Sequence, residues 1–259
     1  MNPDFVAALQ HVWGPGFLSP AGSADGLREY VGAFPFAQSE VLDFGCGLGG
    51  FSLLFVEAFG AARVTGVDRD AAATEQAARR AAERSLADRI EFLVHDGDRL
   101  ALADARFDVA FAKEVLYYIA DKPRVFRELY RVLRPGATLI LIELMARDEE
   151  PGPLLREFCN LEDAFLPVRY ETAAAHRSAL GAAGFAPVTT RSATAAFLRQ
   201  SRDEDRRLRT MTEQEIALMG VEWHRFMVEN WRVLLEVLGS GELEVNTMFA
   251  VKPREHATP

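Results

Sequence analysis

Between Val41 and Gly50 the chain reads VLDFGCGLGG. An apolar run meets glycine at 45, 47, 49 and 50 and passes straight into GGFSLLFVEAFG, whose apolar residues recur at helical spacing until Gly60 stops them. A strand that ends on glycines and restarts as a helix opens a β-α-β unit. The glycines make the turn, and such folds bind ligands beyond the carboxyl ends of their strands. This turn places the chain in the α/β class before anything else is considered.

The rest of the first half keeps the same grammar. RVTGVD, IEFLVHD, FDVAFAK and ATLILIELM read as four further strands. Among them lie a helix over residues 70–86, capped by Asp70, and a helix in DKPRVFRELYRVLRPG, begun by Asp121 and stopped by Pro135-Gly136. Strands that are continuous apolar runs belong to a parallel sheet covered on both faces. After Met145 the grammar changes. ARDEEPGPLLREFCNLEDAFLPVRY reads as an inserted helical segment, ETAAAHRSALGAAGF as a helix ended by Gly184, and APVTTRSA as a strand. A long helical stretch containing EQEIALMGVEWHRFMVENWRVLLEVLG follows, and ELEVNTMFAVKP alternates like an antiparallel strand at a sheet edge. The expectation is an α/β fold: a Rossmann-like doubly wound sheet, mostly parallel with an antiparallel C-terminal strand, plus a helical lid or cap. Its expected parts are N-terminal lid helices over 1–36, a cofactor-binding core over 37–145, and over 146–259 a helical substrate cap with the last strands of the sheet.

With 259 residues, 49% of them hydrophobic and 26% charged, the chain can bury a sizeable core. Its formal net charge of −9 argues against tracking a phosphate backbone, so no nucleic-acid partner is expected. RDEDRRLR, residues 202–209, is mixed in sign and reads as a solvated face. Cys46 and Cys159 make no metal pattern and no disulfide framework; reduced thiols, no metal and a cytoplasmic location are expected. MNPDFVAALQHVWG has no basic region leading into an apolar run, and no apolar run reaches membrane-span length, so neither secretion nor a membrane partner is expected. The expected assembly is a monomer or homodimer.

The glycine turn fits two cofactors. Gly45, Gly47 and Gly50 satisfy the G-x-G-x-x-G fingerprint of a dinucleotide site, whereas Gly45, Gly47 and Gly49 satisfy the G-x-G-x-G loop of an S-adenosylmethionine (SAM) site. Asp43 separates the two. A carboxylate there would repel a doubly negative pyrophosphate, but it can hold the cationic methionine end of SAM, directly or through water. Asp68 ends the second strand, placed to accept from the ribose hydroxyls of either cofactor. Asp96 ends the third, placed to accept from an adenine amino group. In this order, with the later LRPGA, the segments resemble the class I SAM-dependent methyltransferases over about residues 37–145. The resemblance implies SAM as cofactor, held by Ser19, Asp43, Gly45, Cys46, Gly47, Asp68, Arg69, Asp96, Gly97 and Lys113.

A narrower resemblance lies ahead of the turn. VWGPGFLSPAGSADGLREYV is similar to the entry segment of phosphoethanolamine methyltransferases, which implies a lid containing Trp13, Phe17 and Leu18 and places Ser19 near the carboxylate of the donor. At the chemistry positions the chain departs from that family. Tyr118 stands where the family has its catalytic histidine, the catalytic tyrosine near the amino end has no counterpart, and Leu144 replaces a phosphate-holding tyrosine. A phosphobase acceptor is therefore not expected.

Methyl transfer from a sulfonium is an in-line displacement that gains chiefly from orientation, and a hydroxyl or ammonium acceptor must also lose a proton to a base in reach. The expected catalytic residues are Glu114 and Tyr118 above the fourth strand, Glu143 near the end of the fifth, and His224 among Trp223, Phe226 and Trp231. Tyr118 would orient an acceptor, acting as base only with a pKa far below 10, and Glu143 would either accept the proton or fix a backbone amide. His95 is expected to flank the adenine and His176 to lie at the surface. The expected function is methyl transfer to a small-molecule acceptor, at O or N of a hydrophobic or aromatic metabolite in secondary metabolism. The alternatives are a SAM-binding protein with lost or repurposed methyl transfer, and an NAD-linked oxidoreductase.

Overall fold

The computed structural model describes residues 3–19, 22–95, 99–163 and 167–254. Among them, seven strands form one sheet: β1 (Glu40–Phe44), β2 (Arg63–Asp68), β3 (Ile90–Val94), β4 (Phe107–Lys113), β5 (Leu133–Ala146), β6 (Val188–Ser192) and β7 (Leu243–Val251). Their order is β3-β2-β1-β4-β5-β7-β6. β1 to β5 are mutually parallel, and β7 runs antiparallel to both of its neighbours. Consecutive residues of β5 serve opposite faces. Ile140 and Ile142 pack with Phe55 and Phe111, while Leu139 and Leu141 pack with Phe126, Leu129 and Val132. That is why the strands read as unbroken apolar runs.

The helices are α1 (Pro3–Trp13), α2 (Ala24–Val31), α3 (Gly50–Glu57), α4 (Ala71–Glu83), α5 (Lys122–Val132), α6 (Pro153–Glu162), α7 (Ala173–Ala182), α8 (Thr194–Arg209), α9 (Glu213–Met219) and α10 (Val221–Ser240). Asp70 caps α4 by accepting from Ala72 N and Ala73 N at 3.0 and 3.1 Å, and Asp121 caps α5 by accepting from Arg124 N at 3.0 Å. Leu9 and Val12 of α1 join Met219, Met227 and Trp231 in a separate apolar cluster, which ties the N-terminal helix to the C-terminal ones.

Four expectations need correction. β7 is not at the edge. It lies between β5 and β6 with Asn246 and Thr247 buried, and polar, largely exposed β6 closes that side, as a strand able to face water should. Pro135-Gly136 does not stop α5: the chain is already extended at Leu133, and Gly136 N donates to Lys252 O at 2.7 Å inside the sheet. His176 is buried, only 2% exposed, with Nδ1 3.1 Å from Thr172 O. The face of residues 202–209 is not wholly solvated, since Leu208 is buried and Glu204 turns inward.

Candidate active site

In a doubly wound sheet the crevice opens where the strand order reverses, beyond the carboxyl ends of the strands. Here that is the β1–β4 boundary, and a cavity of about 650 Å³ lies there. Gly45, Gly47 and Asp68 line it from the sheet, Trp13 and Leu18 from the N-terminal segment, and Trp231 from α10. Gly45 has φ +77°, and a Cβ there would stand 2.2 Å from Val115 Cγ2, so the turns after β1 and β4 meet at a distance only glycine allows.

The backbone also separates the two glycine patterns. Gly45, Gly47 and Gly49 have φ of +77°, +51° and +80°, while Gly50 is the first residue of α3 and is not among the positive-φ positions. What Gly50 permits is the approach of the N-terminal segment: it donates its N–H to Gly16 O at 3.0 Å, and a Cβ would meet Phe17 at 2.6 Å. The left-handed positions thus follow the G-x-G-x-G spacing.

Asp68 Oδ2 accepts from Gly47 N at 2.9 Å and Oδ1 from Asp70 N at 3.0 Å, which fixes the carboxylate at the cavity wall. Each oxygen keeps a second lone pair for a ligand hydroxyl. Cys46, Arg69 and His95 share this part of the wall. Lys113, on the wall at the end of β4, donates to Ser19 Oγ at 3.1 Å and pairs with Glu114, and its ammonium lies 5.6 Å from the Phe51 ring centre. These groups fit a nucleoside with a zwitterionic tail: acceptors for hydroxyls, and an ammonium and hydroxyl for a carboxylate. Asp96 and Gly97 lie outside the described residues.

Asp43 is not on the cavity wall. It is buried beneath the turn, where it accepts from Ser52 Oγ at 2.6 Å, and burial pushes its carboxyl up to about 7. Direct contact with a ligand is therefore not its role in this geometry.

The expected catalytic groups divide. Glu114 and Tyr118 line the cavity. Burial pushes the Tyr118 phenol well above its ordinary pKa, the opposite of what a base needs. Glu143 does not reach the wall. Its Oε1 accepts from Val115 N and Leu116 N at 3.0 and 3.1 Å, which braces the short 3-10 turn Leu116–Tyr118, and burial raises its carboxyl to about 8. Of its two expected roles it fills the second, fixing backbone amides. His224 also stands off the wall, its Nε2 2.8 Å from Leu208 O, so it ties α10 to the end of α8.

Sequence reasoning missed Glu162 and Asn230, which line the cavity from α6 and α10 and are joined by an Asn230 Nδ2 to Glu162 Oε1 hydrogen bond of 2.6 Å. The readable signal was Asn230 itself. Met227, Asn230, Trp231 and Leu234 follow i, i+3, i+4, i+7 spacing, and one amide interrupts an apolar stripe. Tyr117 and Tyr170 were missed too; their rings lie 5.0 Å apart, tilted by 43°, on the same wall.

Residues 42–141 match the family described as "Methyltransferase domain". The match covers 100 of the 259 residues. It runs from β1 through most of β5 and contains the glycine turn, Asp68, Lys113 and Glu114. The chain is 27% identical over 248 residues to phosphoethanolamine N-methyltransferase 1 of Arabidopsis thaliana, covering 95% of this chain and 49% of the relative. The chain spans about half the length of the curated relatives it matches over most of its own. The methyltransferase GfsG of Streptomyces halstedii is 34% identical over 131 residues, 49% of this chain and 47% of that one. Among solved structures, phosphoethanolamine N-methyltransferase 2 of Haemonchus contortus, bound to phosphomonomethylethanolamine and S-adenosylhomocysteine, superposes with a TM-score of 0.86 at 22% identity, covering 97% of this chain and 58% of that one. The [4+2]-cyclase SpnF superposes at 0.72 and 22% identity, covering 97% and 94%. The seven-stranded sheet flanked by helices is the class I methyltransferase fold. These matches are to methyltransferases, which favours the SAM alternative over the nicotinamide one.

Proposed function

We propose that the protein transfers a methyl group from SAM to a small-molecule acceptor. The observation that carries this reading is the left-handed set Gly45, Gly47 and Gly49 closing against Asp68 at the sheet's reversal, inside residues that match a methyltransferase domain. Gly45, Cys46, Gly47, Asp68 and Arg69 would hold the nucleoside, with Lys113 and Ser19 at the carboxylate of the tail; Asp96 and Gly97 are proposed on sequence alone. Asp43 acts through the turn above it. Residues 1–36 serve as lid and 146–259 as cap, in support of which α1 and α10 share an apolar cluster.

SAM supplies an electrophilic methyl on a sulfonium. The chain's own part is to align and to exclude water, worth on the order of 7–11 kcal/mol for well-oriented reactants. Trp13, Phe226 and Trp231 give the acceptor end an apolar, aromatic wall, which favours a hydrophobic or aromatic metabolite methylated at N or O. Of the four expected catalytic groups, Glu114 is the carboxylate on the wall and the proposed proton acceptor, and Tyr118 orients. A cytoplasmic place in secondary metabolism belongs to the same reading.

Calorimetric titration with SAM, S-adenosylhomocysteine and NADH tests the donor. Micromolar binding of the first two, lost in Asp68→Ala and absent for NADH, is expected. Release of S-adenosylhomocysteine with an acceptor then separates transfer from binding alone. Binding of NADH in their place would sink the proposal.

A further inference from the structure

At the acceptor end the cavity offers hydrogen-bond acceptors without matching donors. Asn230 is 5% exposed, and its amide orientation is forced, because a carboxylate can take only its N–H. Its Oδ1 is thereby turned away from Glu162, and among the described residues no hydrogen bond to it is seen. Glu162 uses Oε1 for that bond, and among the described residues no cation pairs with it and nothing donates to Oε2. Asn230 is buried and Glu162 half-buried, and both line the cavity, so a ligand there that carries donors can complete the pair.

The surroundings narrow the ligand. Glu162 shares the cavity wall with Tyr118 and Tyr170, and after burial its charge is the next cause that pushes both phenols up. Glu114 is a second carboxylate on the wall. Among the described residues the only Lys or Arg on the wall are Lys113, tied to Glu114 and Ser19, and Arg69, at the end of β2 beside Asp68. A phosphate or carboxylate on the acceptor would meet like charge with no cation left to receive it. A protonated amine has three donors and no acceptor, and aromatic faces stabilise its charge.

Resting on the methyl-transfer reading above, we propose that Glu162 and Asn230 are the specificity-determining pair of the acceptor site, and that they select an amine, bound as its ammonium, on an apolar body without an anionic group. The phosphate found on the ligand of the Haemonchus contortus structure is what this pocket rejects.

The test is calorimetric titration of the full chain, with S-adenosylhomocysteine present, using phenethylamine, tryptamine and cyclohexylamine against 2-phenylethanol, phenylacetate and phosphoethanolamine. Saturable binding is expected for at least one amine and for neither anion. Its affinity should fall about tenfold or more in Glu162→Gln, which keeps the volume and the Asn230 bond, and also in Asn230→Ala. Unchanged affinity for S-adenosylhomocysteine in both variants reports that they are folded. The assignment is overturned if phenylethanol or phosphoethanolamine binds as well as the amines, if no amine binds, or if Glu162→Gln leaves amine affinity unchanged. Failure of the wild-type chain to bind S-adenosylhomocysteine would instead remove the methyl-transfer reading itself.

Discussion

Trp13 Nε1 donates a 2.8 Å hydrogen bond to Glu204, whose other oxygen accepts from Trp231 Nε1 at 3.2 Å. One carboxylate on α8 thereby holds two indoles, from α1 and α10, whose rings lie 5.5 Å apart on the cavity wall. Burial pushes the Glu204 carboxyl up to about 7. Protonation turns one of its oxygens into a donor, leaving one full acceptor for two N–H groups.

Tryptophan emission should therefore titrate with a midpoint near neutrality, since two of the three tryptophans report on this group. Glu204→Gln should remove that transition while keeping the fold. Glu204→Ala leaves both indole donors without their acceptor and should lower stability by about 2 kcal/mol in urea unfolding. Emission independent of pH in the wild type, or an unchanged transition in Glu204→Gln, would show that the latch does not respond to protons.

A second expectation concerns stability across pH. Asp43 and Glu143 are held up to about 7 and about 8, in both cases chiefly by burial. Their folded pKa values lie above the unfolded ones, so their contribution to stability is complete in acid and is lost as pH rises through the folded values. Carboxylates such as Glu128, held low by its bond to Arg131, act in the opposite direction and lose their contribution below about pH 4.5. The melting temperature should peak near about pH 5 and decline toward about pH 8. Asp43→Asn, which can still accept from Ser52, should flatten part of that decline. A melting temperature that rises over the same interval would mean that these groups are not held protonated by the fold.

The α/β class and the glycine turn were legible because each depends on local patterning. Alternating periods gave five parallel strands, and Asp70 and Asp121 marked their helices as side-chain caps do anywhere. What stayed hidden depends on distant segments. Nothing in ELEVNTMFAVKP tells that VTTRS will pair outside it, because an alternating pattern records side-chain direction and not neighbours. Glu204 sits in a run of mixed charge, and only the arrival of Trp13 from the other end of the chain turns it inward. Asp43 was read as holding a ligand, directly or through water, and Glu143 as either accepting a proton or fixing a backbone amide, because a strand-end carboxylate in this fold class allows each of these. Only the packing decides between them: it brings Ser52 to Asp43, and the Val115 and Leu116 amides to Glu143.

The meeting of Gly45 with Val115 yields the last prediction. A Cβ at position 45 would lie 2.2 Å from Val115 Cγ2, 2.8 Å from Cγ1 and 3.1 Å from Cβ, and the φ of +77° is itself unfavourable for alanine. Gly45→Ala should cost about 2–3 kcal/mol, from overpacking together with backbone strain, and should weaken donor binding because the turn beside Asp68 must shift. Val115→Ala removes both Cγ atoms and leaves the 3.1 Å contact and the strain. In Gly45→Ala/Val115→Ala the second change should thus recover part of the loss, giving a favourable coupling of about 1 kcal/mol in a double-mutant cycle. Additive losses would mean that the two turns do not constrain each other across the β1–β4 boundary, and that glycine is required at position 45 by its backbone angle alone.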